Sequence, residues 1–378
     1  MGNTFSNLVK NAYKALDVVS RELIGFVNSV TLDADAAAIP LGQTLYSFET
    51  PEVTSGSITP GVTPPDDGDQ TIGSQAITIT TMERVPFRWT GEEATAIGTG
   101  AGYETVRRGQ IAQAIRTLAN KMELAVWNEA VISASRAYGT AGTTPFASDL
   151  SAAAQLRKIL DDNGADGARS LIIDTAAGVK LRTLAQLTKV NESGTEMTLR
   201  DGELLDLFGL SVKESAAVGI VDTGTGASYQ LNGSHAVGAT TINVDTGSGT
   251  ILAGSVVTIG NYNYVVNTAL SGGSFTIGKP GLRAAHADNV AVTVVADYTG
   301  NVAFSQSAII LAARTPYFHA PGDEDGELAV NEEIITDDRS GLSFRLAQYA
   351  NYGRTQYEVS AAWGAHGIKP AHTAILLG

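Results

Sequence analysis

Apolar residues recur at three- and four-residue steps from Ile111 through Ile115, Leu118, Met122 and Ala125 to Ile132, which lays one stripe along a helix over residues 103–136. Arg107, Arg108, Arg116, Lys121 and Glu123 lie off that stripe, and only Gly109 interrupts the run. At a rise of ~1.5 Å per residue the helix is on the order of 45–50 Å long, a strut and not an ordinary globular helix. Ahead of it the period changes. Residues 44–49 and 76–82 carry β-forming side chains, the second segment in alternation. Between them lie Pro51, Pro60, Gly61, Pro64, Pro65, Asp66, Asp67, Gly68 and Asp69. The stretch from Leu45 to Trp89 therefore predicts a projecting hairpin with a Pro/Gly/Asp tip. An isolated two-stranded ribbon is marginal in water, so this excursion calls for a partner surface.

Residues 3–30 place Phe5, Leu8, Val9, Ala12, Leu16, Val19, Leu23, Phe26 and Val27 at helical spacing and predict an amphipathic helix or helix pair. Asp149-Leu150-Ser151 opens another helix, which ends at Gly164. Residues 169–174 form a short buried strand and 175–187 a helix after it. Near Ile220 the composition shifts. Between Gly226 and Ala296 only Asp245, Lys279, Arg283 and Asp288 are charged. Short β-forming runs at 240–244, 256–259, 264–266, 274–277 and 291–294 are separated by turn residues, the pattern of a small sandwich or barrel set into an α+β host. Mixed patterning resumes at 301–305 and 308–312. Strands near 341–345, 349–352 and 356–360 are suited to packing on the long helix, so both ends of the chain belong to one scaffold.

With 378 residues, 43% hydrophobic and 17% charged, the chain can bury a large core and two or three packed units. Few charges fit a protein that covers much of its surface in contacts, and equally a Gly-rich β protein. A net charge of −14 without any basic run argues against sequence-independent grip on nucleic acid. There is no cysteine, hence no disulfide, thiolate chemistry or cysteine-held zinc. The sequence predicts neither an export signal nor a membrane span.

Candidate chemistry is sparse. Asp222-Thr223-Gly224 and Asp245-Thr246-Gly247 repeat the triplet of aspartic proteases, in which adjacent carboxylates share a proton. Those enzymes carry one triplet in each of two large lobes, whereas 23 residues separate these two. Two Gly-containing turns at the edge of a β-domain is the preferred reading, and an aspartic protease the remote alternative. The Met1–Ser6 stretch fits an N-myristoylation pattern but lacks the polybasic second signal. Gly98, Gly100 and Gly102 make a hinge, not a dinucleotide fingerprint. The acidic runs 66–69 and 323–327 match no EF-hand, and His235, His286, His319, His366 and His372 show no ligand spacing. The expectation is no catalytic residue, no metal and no cofactor.

The order of these parts, an N-terminal arm, a long hairpin, a spine helix, a second α+β unit, and a return to the first, resembles that of the major capsid proteins of tailed double-stranded-DNA bacteriophages. That fold is shared with encapsulins and the capsid floor of herpesviruses. Residues 115–126 resemble the family's spine-helix segment. Asp201-Gly202-Glu203 with Phe208-Gly209-Leu210-Ser211-Val212 is similar to the axial stretch ahead of its loop. Val302-Ala303-Phe304 and Ala308-Ile309 are similar to the segment on the far side of that loop. Trp363-Gly364 and the run 369–375 resemble the family's terminal strand.

The resemblance implies an α+β fold of this kind: 1–44 as N-terminal arm, 45–93 as extended hairpin loop, and 94–148 with 330–378 as peripheral domain. Residues 149–220 with 299–329 become the axial domain and 221–298 an inserted β-domain, as in one branch of the family. It implies a structural protein without enzymatic activity that self-assembles through pentamers and hexamers into an icosahedral shell around double-stranded DNA. An encapsulin-like compartment is the alternative. Scaffolding and portal proteins are implied partners, DNA is enclosed without sequence-specific binding, and no membrane is involved. The expected location is the virion, after assembly in the host bacterial cytoplasm. Nothing supports carrying over the Lys–Asn cross-link known in part of the family. The candidate intersubunit contacts are Asp66, Asp67 and Asp69 at the hairpin tip, reaching toward Arg107 and Arg108 of a neighbour. The spine-helix core is Ile111, Ile115, Leu118, Met122 and Ala125.

Overall fold

The computed structural model describes residues 24–49, 55–58, 60, 69, 72–97, 101–184, 187, 206–318, 328–336 and 341–378. The chain opens with β1 (Thr31–Ile39), β2 (Thr44–Glu49), β3 (Gly73–Thr78) and β4 (Thr81–Thr90), then a short helix α1 (Gly91–Ala96) and the long α2 (Ala101–Ile132). The next stretch is β5 (Arg136–Gly139), α3 (Ser151–Asp162), β6 (Arg169–Ile173), α4 (Thr175–Thr183), β7 (Ser211–Glu214) and β8 (Ile220–Val221). Six strands come next: β9 (Tyr229–Leu231), β10 (Thr241–Asp245), β11 (Val256–Ile259), β12 (Tyr262–Ser271), β13 (Ser274–Ile277) and β14 (Ala291–Val294). The last are β15 (Tyr298–Ser305), β16 (Ile309–Pro316), β17 (Asn331–Thr336), β18 (Ser343–Asn351), β19 (Arg354–Gly367) and β20 (Thr373–Leu377).

One sheet is organised around β19. Its first half pairs with β18 and its second half with β16, while β4 runs along its other edge from Arg354↔Thr90 to Trp363↔Thr81. Successive side chains of a strand point to opposite faces. Val359, Ala361 and Trp363 accordingly join Leu118, Met122 and Val126 of α2 in the main core, while Ala362 turns the other way to meet Ile77, Ile79 and Ala312. The hairpin expected over 45–93 is thus shorter than the sequence suggested. Residues 81–90 belong to the sheet, with Val85, Phe87 and Trp89 turned toward α2 and Arg84, Pro86 and Arg88 exposed. Pro86 is tolerated because β4 is an edge strand.

A second sheet runs β12-β5-β20-β15-β6-β7, with β8 also on β15, and through β12 it joins the strands that follow β8. Its faces alternate in the same way. Ile172, Val302, Phe304 and Ile375 pack with α2, whereas Leu171, Ile173, Ala303 and Leu376 pack under α3 and α4 with Leu156, Leu160 and Leu181. The long helix stops at Ile132 and not Arg136. Serines compete for backbone hydrogen bonds, and here Ser135 donates both N–H and Oγ–H to the Thr373 carbonyl. That diverts the chain into β5, parallel to β20.

The strands β11-β14-β9-β10-β13-β12 follow one another by antiparallel pairing, and β12 pairs back onto β11. The ring is closed, a six-stranded barrel, which removes the edges an open sheet would expose. It is filled by its own apolar cluster, including Leu231, Ile242, Val257, Ile259, Tyr264, Phe275 and Val292. Val256 and Val265 instead face the main core. Tyr298 seals this junction. Its hydroxyl donates to the Gly254 carbonyl at 2.7 Å, and burial pushes its pKa up, which keeps it a donor.

The amphipathic helix expected over 3–30 lies outside the described residues as far as Leu23, and 24–30 form a turn, not a helix.

Candidate functional site

β2 and β3 make a two-stranded ribbon in register from Thr44↔Thr78 to Glu49↔Gly73. Among the described residues neither strand pairs with a third. The ribbon is fixed at one end. Ile77 and Ile79 are buried against Ala312 and Ala362, and a Cβ on Gly364 of β19 would collide with the Thr78 carbonyl, so only glycine lets the two backbones approach. Away from this base the ribbon exposes Tyr46 (67%) and Ile72 (69%), and Ile58 in the connection is 97% exposed. Unpaired strand edges with exposed apolar side chains are a template for association.

The predicted tip residues Asp66 and Asp67 lie outside the described residues, and Asp69 is exposed. On α2, Arg107 is engaged within its own chain. Its guanidinium lies 5.7 Å from the centre of the Tyr357 ring, which itself stacks on Phe87 at 5.4 Å. Arg108 is exposed. Of the predicted spine residues, Leu118 and Met122 are fully buried, and Ile111, Ile115 and Ala125 pack at the margin of the same core. The buried stripe is wider than one line of residues, since Ala114, Ala119, Val126, Trp127, Ala130 and Val131 share it.

Glu123, which the periodicity sets off the stripe, is corrected by the structure to a buried position: it is 2% exposed. Its Oε1 accepts N–H bonds from Gly25 (2.5 Å) and Phe26 (2.8 Å) and the Ser215 hydroxyl (2.7 Å), and its Oε2 accepts from Val27 N–H (2.9 Å). Burying a carboxylate is costly unless hydrogen bonds replace water, and here four do. The spacing holds a signal for this. Glu123 stands four residues after Ala119 and three before Val126, both buried.

A second polar pair ties α4 to β7. Arg182 clasps Glu214 through two bonds of 2.5 and 2.7 Å. Gly178 makes room for it, because a Cβ there would collide with the Glu214 carboxylate. Nothing in the local sequence pattern marks these three residues. Arg345 is likewise buried, bonded to Glu332 at 2.7 Å and lying over Phe318 at 4.4 Å.

The two Asp-Thr-Gly triplets serve turns. Asp222 Oδ1 accepts the N–H of Gly224, whose φ is +84°, and the Asp245 carbonyl accepts the N–H of Gly247. Thr225 and Thr250 hydrogen-bond across the two turns. Gly102 begins in α2, while Gly98, Gly100 and the acidic run 323–327 lie outside the described residues. Among the described residues no three His, Cys, Asp or Glu gather as a metal site, and no helix is long and apolar enough to cross a membrane.

No family model matches the sequence, and no curated protein matches it. Solved structures do. The chain superposes on one from the capsid structure of the cyanophage P-SCSP1u with a TM-score of 0.52 at 14% identity, over 99% of this chain and 92% of that one. A chain of Mycobacterium phage Che8 aligns at 0.48 and 12% identity, covering 100% and 96%. One from the mature capsid of bacteriophage PhiM1 aligns at 0.48 and 11%, covering 100% and 90%. The cyanophage likeness spans nearly the whole of both chains, so the fold is that of a phage capsid protein.

Proposed function

We propose that this chain, which has the fold of phage capsid proteins, is a major capsid protein: a structural subunit that self-assembles into an icosahedral shell around double-stranded DNA. The observation that carries this reading is the ribbon β2–β3. It is anchored at its base by Ile77 and Ile79, exposes Tyr46 and Ile72 beyond it, and has both long edges open among the described residues. Such an element gains stability only on another surface, and a second copy of the chain offers the same surface everywhere in a closed assembly.

The mechanism is repeated geometry. α2, at about 48 Å for its 32 residues, stiffens the body, because both sheets pack their apolar faces on it. The ribbon, joined to that body through its base, takes up the angular differences between pentamer and hexamer positions. We assign 221–298 as the inserted domain, with the closed barrel as its fold. The Asp-rich tip, residues 66, 67 and 69, reaches a neighbouring copy; since Arg107 already lies over Tyr357, Arg108 is the more accessible donor to these carboxylates. A net charge of −14 suits a container whose packed nucleic acid must not adhere to the wall. Scaffolding and portal proteins are the partners this reading requires, with assembly in the bacterial cytoplasm.

Deleting residues 55–72 together with Tyr46→Ser removes the exposed apolar residues of the ribbon and its connection, Tyr46, Ile58 and Ile72. The altered chain should keep the wild-type circular dichroism and melting transition and lose particle formation; shells forming at the normal yield would remove these exposed residues from the mechanism.

A further inference from the structure

The N-terminal residues meet the spine helix through a contact that neither ordinary packing nor the ribbon explains. Three consecutive backbone N–H groups, of Gly25, Phe26 and Val27, converge on the carboxylate of Glu123, and the Ser215 hydroxyl closes the fourth position. Successive N–H groups pointing into one concavity form an anion nest, and here its occupant is a side chain from the middle of α2. The surrounding contacts hold the nest to one position. Phe26 stacks on Phe304 with ring centres 5.9 Å apart and planes at 7°. Gly25 leaves little room for a side chain, because a Cβ would lie 3.0 Å from the Glu214 carbonyl and 3.2 Å from Ile172. Ser29 donates to the Gly25 carbonyl at 2.7 Å and accepts from Lys213 at 2.8 Å. Val27 and Val30 are buried in the main core.

We propose that Glu123 is a positioning residue that fixes where the N-terminal arm leaves the body. The segment 24–30 then sits at one point on the spine helix in every copy, and the two move together as one rigid part. The carboxylate suits the task better than an apolar plug. An apolar contact tolerates sliding, whereas four directional bonds to one charged group set both place and orientation. The coupling also runs in reverse. If the segment 24–30 left its seat, Glu123 would lose three of its four hydrogen bonds and Phe26, Val27 and Val30 would lose their place in the core, so detachment is opposed. This proposal rests on the shell reading for its purpose, but not for its contact.

Amide hydrogen exchange on the unassembled full-length protein tests the contact alone. In Glu123→Gln the carboxamide keeps one acceptor and turns its NH2 toward donors. The amides of Gly25, Phe26 and Val27 should then exchange at least ~10-fold faster than in wild type, while those of the barrel strands stay protected. Unchanged protection at these three amides would overturn the latch. Should Glu123→Gln fail to fold, Ser215→Ala removes the hydroxyl that donates to Glu123 and accepts the Ala217 N–H, and leaves the carboxylate in place. It should raise exchange at the same amides by about threefold and nowhere in the barrel, and no rise there would equally overturn the proposal. Particle geometry gives the second readout. Shells assembled from Ser215→Ala should show a broader spread of diameters than wild type, whereas a purely stabilising contact would lower yield at constant diameter. Loosened amides with no particles from the wild-type protein would leave the latch standing and fault the shell reading instead.

Discussion

At the scale of single residues, the buried polar groups reveal most about how this chain is held together, and they are also the least legible in its sequence. Glu123 sits on a helix where Ala119, Val126 and Trp127 at three- and four-residue steps are buried, yet a lone glutamate reads as solvated unless its donors are known. Those donors lie 96 to 98 residues upstream and, for Ser215, 92 downstream. Gly178 is similar. Its need for a missing side chain appears only when Glu214 is brought across from β7. The apolar residues were legible because their signal is local. Leu118 and Met122 fall where the periodicity puts them.

His372 shows a residue-scale consequence for acid stability. Burial, together with the positive charges of Lys369 and Arg169, lowers its pKa below the ordinary 6.5 against the weaker pull of Asp166, and its Nδ1 is buried without a hydrogen-bond partner among the described residues. The folded chain therefore binds this proton less readily than the unfolded one. The contribution of this group to stability is present well above pH 6.5 and is lost as the pH falls through that value. His372→Gln should shrink the loss of melting temperature between about pH 7.5 and about pH 5.5. An identical loss in both proteins would mean that His372 does not contribute to it.

At the scale of elements, strands with clean alternation or apolar runs bounded by turns were readable. The expected runs 256–259, 274–277 and 291–294 coincide with β11, β13 and β14. The closure of these strands into a ring was not readable, since it depends on β9 pairing with both β10 and β14 and on β12 returning to β11. The alternation of β4 was present in Arg84, Val85, Pro86, Phe87 and Arg88, but Pro86 argues against a strand until one knows that β4 is an edge. A closed barrel with its own core should fold alone. An isolated 221–298 fragment is expected to melt in one cooperative transition. Gradual, featureless unfolding would show that the barrel depends on the host core faced by Val256 and Val265.

For the whole molecule, two sheets share one long helix, the barrel packs against their common core, and a ribbon leaves the body with its edges open among the described residues. The order of parts along the sequence pointed to a shell subunit before any of this geometry, and the cyanophage likeness supports the same fold over nearly the full chain. On the function proposed above, the purpose of that architecture lies in association between copies. The central claim is tested most directly by electron microscopy of the purified full-length protein, alone and with a co-expressed scaffolding protein, beside light scattering on size exclusion. The account predicts closed shells or capsomer rings built from this chain. A monodisperse monomer under every condition, scaffold included, would contradict it.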